Sequence, residues 1–222
     1  MGLPPKPKHP ERKLLVEGNA DKYFIAELWR KQMGTDAIKH FTIDPCEGKE
    51  NLIQLLADFE SGSHNTWKTV PTTHLGIVID ADESAEHTLQ SVSDALGRGG
   101  LPGFPKVLNS QGLIYEVNSV RLGVWIMPNN ADAGMAEDLF LTLFPDELNA
   151  QRNFAGQTLN QLEADGLHRY DINRQRSKAL AHTLLAWQEE PGVPMGAAVI
   201  KQFVKLPPER LPFIDWLNRL FS

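Results

Sequence analysis

The sequence contains a single cysteine, Cys46, among its 222 residues. One cysteine excludes an internal disulfide and a cysteine-rich zinc site. The seven histidines include no pair at the spacing that binds zinc from one helix. No stretch of about 18 apolar residues and no signal-peptide pattern is present. We therefore expect a cytoplasmic protein that has no membrane partner.

Positive charge is also scarce, because 22 lysines and arginines stand against 28 acidic residues and give a net charge of −6. Such a chain lacks the overall basic field that drives non-specific nucleic-acid binding. A nucleic-acid substrate would need a local basic patch, a metal ion or a partner protein. The sequence also lacks a Gly-x-x-x-x-Gly-Lys-Ser/Thr phosphate loop and a Gly-x-Ser-x-Gly elbow. Any ATPase activity would therefore belong to a separate protein.

What the sequence does contain is a regular alternation of aliphatic runs and helical patterns. The predicted strands lie at 13–18, 37–44 and 74–80, and the predicted helices begin near 19, 49 and 84. A hairpin, 113–117 with 120–127, and a further apolar helix at 139–144 follow these elements. This order predicts an α/β fold with a mainly parallel sheet flanked by helices.

Three regions are expected along the chain. Residues 1–11, which are rich in proline, form an extended arm, and residues 12–145 form the α/β domain. Residues 146–222 form a helical C-terminal region packed on that domain, with its last helix at 209–221. That helix has large apolar side chains on one face, which suits docking either on the sheet or against a second subunit in a homodimer.

Acidic residues follow two of the predicted strands at the point where each strand ends. Glu17 and Asp21 follow the first strand, and Asp80 and Asp82 follow the strand at 74–80. The carboxyl ends of parallel strands meet at one edge of a sheet, where ligands bind. Several carboxylates gathered there cannot all ionise without a counter-charge, which Mg²⁺ or Mn²⁺ would supply. Glu17, Asp80 and Asp82 are therefore predicted metal ligands.

The Asp-x-Asp spacing adds a geometric expectation. Residues i and i+2 of an extended chain project to the same side, so Asp80 and Asp82 would share one cation or bridge two if both stay extended. Asp21 and Glu137 are the candidate ligands of a second ion, which would help to stabilise both oxygens of a phosphodiester displacement. Both acids also fit first-turn positions of helices, where a carboxylate favours the helix dipole without any ligand.

Three motifs carry a family resemblance, and the first two of them resemble the Toprim domain of topoisomerases, primases and nucleases. They are Glu-Gly-x-x-Asp at 17–21, Asp-x-Asp at 80–82 and Gly-x-x-Glu at 134–137, within residues 12–145. The order is similar to the overcoming-lysogenisation-defect nucleases and to small Toprim-like proteins linked to phage defence. The segments 124–130 and 185–192 also resemble one such small family.

The resemblance implies a nuclease that uses Mg²⁺ or Mn²⁺ to hydrolyse the phosphodiester bonds of DNA or RNA, together with a separate ATPase or another activating protein. It also implies a lysine beyond the core that neutralises the phosphate. Lys178 is the candidate, against the alternative of an ordinary surface lysine. One departure concerns Gly134, where the nuclease family usually has serine, and this places the second metal in question. None of the three tyrosines has the setting of a topoisomerase nucleophile.

The alternative function is a non-catalytic binding module. In that interpretation the same acidic pocket holds a metal ion or a nucleotide as a signal, and the helical C-terminal region recruits a partner. The net negative charge and Gly134 favour it, because neither suits cleavage of a polyanion.

Overall fold

The computed structural model describes residues 11–35, 40–59 and 72–222. Within them, five strands form one sheet in the order β2-β1-β3-β5-β4. The strands are β1 (Arg12–Val16), β2 (Thr42–Pro45), β3 (His74–Asp80), β4 (Leu113–Val117) and β5 (Val120–Met127). All neighbouring pairs are parallel except β4 and β5, which form the predicted antiparallel hairpin. Most of the predicted arm, and the start of the strand predicted at 37–44, lie outside the described residues.

Eight α-helices flank this sheet within the described ranges. They are α1 (Asn19–Met33), α2 (Lys49–Ala57), α3 (Ala85–Arg98), α4 (Ala136–Thr142), α5 (Asn149–Ala164), α6 (Ile172–Ala186), α7 (Met195–Ile200) and α8 (Pro212–Phe221). The predicted α/β class with C-terminal helices is confirmed. Of the helices described, none is long and apolar enough to cross a membrane.

Helix α7 is the element that the sequence patterns did not predict. Proline and glycine usually interrupt a helical pattern, yet Pro194 occupies the N-cap position of this helix and Gly196 lies inside it. A Cβ atom on Gly196 would lie 2.9 Å from the backbone carbonyl of Tyr23 in α1. The glycine is therefore there because α7 and α1 pack with their backbones nearly in contact.

Helix α8 lies on the sheet, which was one of its two predicted docking sites. Gly76 of β3 and Gly123 of β5 are paired in register. A Cβ atom on Gly123 would meet Leu220 at 2.7 Å, and one on Gly76 would meet the same side chain at 3.0 Å. The indole Nε1 of Trp216 donates a hydrogen bond to the backbone oxygen of Leu113 at 3.0 Å. The two glycines thus leave room for this helix directly above the central strands.

The sheet separates two apolar cores. Helices α2 and α3 cover one face, where Leu52, Leu89 and Leu96 are fully buried against β3 and β5. The other face is covered by α1, α8 and helices of the C-terminal region. Leu184 of α6 is buried in the same cluster as Phe24 of α1. The central strands, whose carboxyl ends lead into the predicted acids, are thus covered on both faces.

Candidate functional site

The first two predicted acids lie side by side at the carboxyl edge of the sheet. Strand β1 ends at Val16 and its parallel neighbour β3 ends at Asp80. The Asp80 backbone N–H donates a hydrogen bond to Glu17 Oε1 at 2.8 Å. Burial raises the pKa of Glu17 to about 7, although this hydrogen bond and the charge of Lys49 act in the opposite direction. Glu17 is therefore a carboxyl group that ionises near neutral pH.

Asp80 is at the centre of the acidic group. The backbone N–H of Ala136, at the start of α4, donates a hydrogen bond to Asp80 Oδ1 at 3.0 Å. Burial, followed by the charges of Glu17, Asp21 and Glu137, raises the pKa of Asp80 well above its usual range. These four carboxyl groups therefore act on one another, and they cannot all carry charge without a cation.

Asp21 and Glu137 complete this group from the first turns of α1 and α4. Asp21 Oδ2 accepts a hydrogen bond from the Gly18 backbone N–H at 2.8 Å, so Asp21 also caps its helix. Burial raises the pKa of both acids, and the charge of Lys178 lowers both. The Lys178 Nζ lies 3.9 Å from Glu137 Oε1. The structure thus places the predicted lysine beside the predicted acids.

Asp138, the neighbour of Glu137, has a different position. Its Oδ2 accepts a hydrogen bond from the Met135 backbone N–H at 2.8 Å, and its Oδ1 accepts one from the Ser177 hydroxyl. Asp138 therefore caps α4 and ties it to α6. The carboxylate that faces the acidic group is Glu137, of which only 6% is exposed.

Asp82 does not continue the strand that carries Asp80. Its φ is +52°, and its backbone pairs with Gly134 through N–O distances of 2.9 and 2.8 Å. The expectation that both aspartates project to one side required both to stay extended, and Asp82 does not. The turn exists because the backbone of Gly134 closes a bridge with Asp82 just after β3 ends.

Lys49 is the residue at this edge that the sequence patterns missed. Its Nζ donates hydrogen bonds to Asp82 Oδ2 at 2.7 Å, to the Asp80 backbone oxygen at 2.7 Å and to Thr88 Oγ1 at 3.0 Å. Lys49 is the first residue of α2, which follows β2. Its position in the sequence could have revealed it, because Lys49 follows a predicted strand and begins a predicted helix. Residues at that point of a parallel α/β order lie at the same edge of the sheet as the acids.

A surface cleft lies beside the ion pair of Lys49 and Asp82, and both residues line it. Its volume is about 310 Å³, and its lining consists of Glu47, Gly48, Lys49, Glu50, Asn51, Asp82 and Arg174. Arg174 belongs to α6 and pairs with Glu83 through an Nε–Oε1 distance of 3.2 Å. The cleft is thus a polar space that two basic side chains reach from different helices.

The family to which this chain belongs follows from a comparison with family models. The model described as "Protein of unknown function (DUF3226)" matches residues 11–222. The chain belongs to the DUF3226 family. No curated protein and no solved structure matches the chain. The DUF3226 description assigns no activity, so the Toprim resemblance stays a prediction.

In this DUF3226 protein, the oxygen-rich edge is chemically suited to a hard divalent cation. Across 11–35, 40–59 and 72–222, however, no three Asp, Glu, His or Cys side chains are arranged to hold a metal ion together. Binding would require carboxylates to turn toward a shared centre. Of the predicted ligands, Glu17, Asp21, Asp80 and Glu137 act on one another through their charges, whereas Asp82 is paired with Lys49.

Proposed function

We propose that this DUF3226 protein hydrolyses phosphodiester bonds of a nucleic acid, using Mg²⁺ or Mn²⁺ at the carboxyl edge of its sheet. The observation that carries the proposal is the burial of Asp80 among three further acids, which raises its pKa well above the usual range. Such an arrangement is costly to maintain unless a cation binds it. Strongly shifted acids at the ligand-binding edge of an α/β sheet are typical of functional sites.

Each residue has a distinct role in this proposal. Glu17 and Asp80 bind the ion directly, and Asp21 and Glu137 assist through their charges. When bound, the ion would polarise the phosphate and lower the pKa of an attacking water molecule. Lys178, about half exposed and 3.9 Å from Glu137, would neutralise charge on the phosphate.

A row of basic side chains supports a nucleic-acid substrate despite the net negative charge. Arg174, Lys178 and His182 lie at successive intervals of four residues on α6, and such residues share one helix face. Arg174 lines the cleft. The charges of Lys178 and His182 both lower the pKa of Glu137, which places them near the acidic group. This row is the local basic patch that such a substrate would need.

The test is cleavage of supercoiled DNA, single-stranded DNA and transfer RNA with Mg²⁺ or Mn²⁺. Wild-type protein is compared with Asp80→Ala and with Asp94→Ala as a matched control. Asp94 is a surface carboxylate of α3 that pairs with Lys106 at 2.8 Å and does not belong to the acidic group. We expect cleavage by the wild type and the control, and none by Asp80→Ala. Equal cleavage by all three proteins would contradict the proposal.

The second candidate is a binding module that holds a cation or a nucleotide without turnover. It is favoured by the lysine already bonded to Asp82, and by Gly134, whose φ of +134° disfavours any residue with a side-chain ligand. Mn²⁺ binding that is lost in Asp80→Ala, combined with no cleavage of any substrate, would favour the module. Deletion of the helical C-terminal region is no clean test, because its helices share the main core.

A further inference from the structure

The Lys49 ammonium group is fully engaged at the sheet edge. An ammonium group has three N–H donors, and Lys49 has three oxygen acceptors within 3.0 Å, which belong to Asp80, Asp82 and Thr88. The Thr88 hydroxyl in turn donates to the backbone oxygen of Ala81 at 3.1 Å, so its lone pairs are free to accept from Lys49. The Lys49 ammonium group is therefore a cation that the chain itself holds at this position by three hydrogen bonds.

The three oxygens around Lys49 are of the kinds that bind divalent cations. They are a backbone carbonyl, a carboxylate and a hydroxyl, which are oxygen ligands suited to Mg²⁺ or Ca²⁺. The ammonium group thus occupies a position that would otherwise suit a metal ion. Its side chain is 27% exposed, and that of Asp82 is 30% exposed. The pair is therefore only partly accessible to competing ions.

The backbone around Lys49 is anchored to the end of β1. The Cys46 N–H donates to the Val16 oxygen at 2.9 Å, and the Gly48 N–H donates to the Glu17 oxygen at 2.8 Å. These bonds fix the turn that leads into α2, and they tie it to the strand that delivers Glu17. Lys49 consequently reaches the edge from a rigid position rather than from a mobile loop.

We propose that Lys49 is a built-in cation that takes the place of a second metal ion, so that the edge binds one divalent ion at Glu17 and Asp80. This inference rests on the proposed function for the existence of that ion. Asp82 is then a partner of Lys49 that holds the ammonium group in position, and Lys49 is a positioning residue rather than a catalytic one.

The segment that faces Asp82 supports this assignment. Gly134 pairs with Asp82 through the backbone and has no side chain to offer a ligand. A divalent ion at the Asp82 carboxylate would be repelled by the ammonium group that already pairs with this carboxylate. A second ion therefore requires removal of the Lys49 charge.

The experiment counts bound Mn²⁺ by electron paramagnetic resonance, with calorimetric titration as a second measure. We expect one ion per chain in the wild type, without dipolar coupling between ions. Lys49→Met, which keeps an unbranched side chain and removes the charge, should bind two ions that show such coupling. Lys106→Met is the matched control, because Lys106 pairs with Asp94 on the surface, and it should bind one ion.

Several outcomes would overturn the inference. Two coupled Mn²⁺ ions in the wild type would overturn it without reference to any variant. An equal number of bound ions in the wild type and in folded Lys49→Met, zero included, would overturn it as well. Circular dichroism checks folding, and Lys49→Gln, whose amide can still donate to Asp82, replaces Lys49→Met if the latter does not fold. The count uses no nucleic acid, so a failure of cleavage and a failure of this inference give different results.

Discussion

Asp80 and Asp82 are two residues apart in the chain and lie in opposite electrostatic surroundings. Asp80 ends a buried strand, and burial, followed by the charges of other acids, raises its pKa well above the usual range. Asp82 lies in a turn, where Lys49 pairs with it at 2.7 Å. The Asp82 carboxylate thus has a hydrogen-bonded cation supplied by the chain, whereas the hydrogen bond described for the Asp80 carboxyl group comes from a backbone N–H.

The contrast between the two aspartates indicates where a ligand is needed. A charge that already has a hydrogen-bonded partner gains little from a second cation, whereas a buried group of acids without one gains a great deal. A motif of two aspartates therefore does not imply two equivalent ligands. The surroundings of each carboxylate decide its role, and those surroundings come from elements distant in sequence.

The largest expected effect is on metal affinity. Asp80→Asn should weaken Mn²⁺ binding by at least about 100-fold, because it removes a charge from a direct ligand, whereas Asp82→Asn should weaken it by about 10-fold or less. Calorimetric titration at one pH measures both. Equal losses in the two variants would break the comparison, because they would make Asp82 as direct a ligand as Asp80.

The turn that separates the two aspartates gives the next prediction. Gly134→Ser should lower the free energy of unfolding by about 2–3 kcal/mol. The Gly134 φ is +134°, and a Cβ atom would lie 2.6 Å from Asp138 Oδ2. The Asp138 carboxylate is held by one hydrogen bond to each of its oxygens. Urea denaturation measures the change.

A matched control for this substitution lies in α5. A Cβ atom on Gly156 would meet no atom within 4 Å beyond the backbone of its own helix. Gly156→Ser should therefore change stability by only about 0.5 kcal/mol, toward a more stable protein. If Gly134→Ser were as harmless as Gly156→Ser, the Asp82–Gly134 turn would not be what keeps Asp82 apart from Asp80.

The acidic group around Asp80, to which Glu17 belongs, should affect how the stability of the protein depends on pH. The pKa of Glu17 rises from 4.5 to about 7 on folding, so the folded protein keeps a proton that the unfolded chain releases between these values. Stability should therefore fall as pH rises through this window, by about 2–3 kcal/mol, and then level off. Glu17→Gln should lack this part of the slope when unfolding is measured in EDTA. A parallel slope in the variant would contradict the assignment.

Substitution of the two aspartates should also change stability in opposite directions when no divalent ion is present. Asp80→Asn relieves repulsion and keeps an oxygen for the Ala136 N–H, so the free energy of unfolding should rise by about 1 kcal/mol. Asp82→Asn leaves the Lys49 charge without its partner and should lower stability by about 1 kcal/mol. Thermal unfolding in EDTA compares them, and a shift in the same direction for both would remove the distinction.

The smallest effect concerns the other cation of the cleft. Arg174 and its partner Glu83 are more than half exposed, at 58% and 66% of their side-chain surfaces. Arg174→Gln should therefore change stability by less than about 0.5 kcal/mol. The same variant should weaken binding of single-stranded DNA, with a smaller dependence of affinity on salt. Unchanged binding would limit the basic row of α6 to Lys178 and His182.

The parts of the fold that could be predicted are those set by local patterns. The apolar run of β3, the hairpin of β4 and β5 and the apolar face of α8 are each visible within about ten residues of sequence. Helix α7 was missed because Pro194 and Gly196 have their meaning only against α1, where Gly196 permits close packing. That contact joins segments far apart in the chain.

The same reasoning divides the candidate site. Glu17, Asp80 and Glu137 could be placed at one edge because each begins or ends an element of a parallel α/β order. Lys49 was missed because its role depends on acceptors more than thirty residues away, including a backbone oxygen that no pattern of side chains reveals. The turn at Asp82 was missed for a similar reason, since its partner Gly134 lies beyond another strand.

The position of α8 has a consequence for how the protein is made. Leu220 fills the space above Gly76 and Gly123, in the middle of the sheet, although every predicted ligand is translated long before it. On the ribosome, this part of the sheet therefore stays uncovered until α8 has emerged. The central strands can therefore gain their full cover on this face only after α8 has been synthesised.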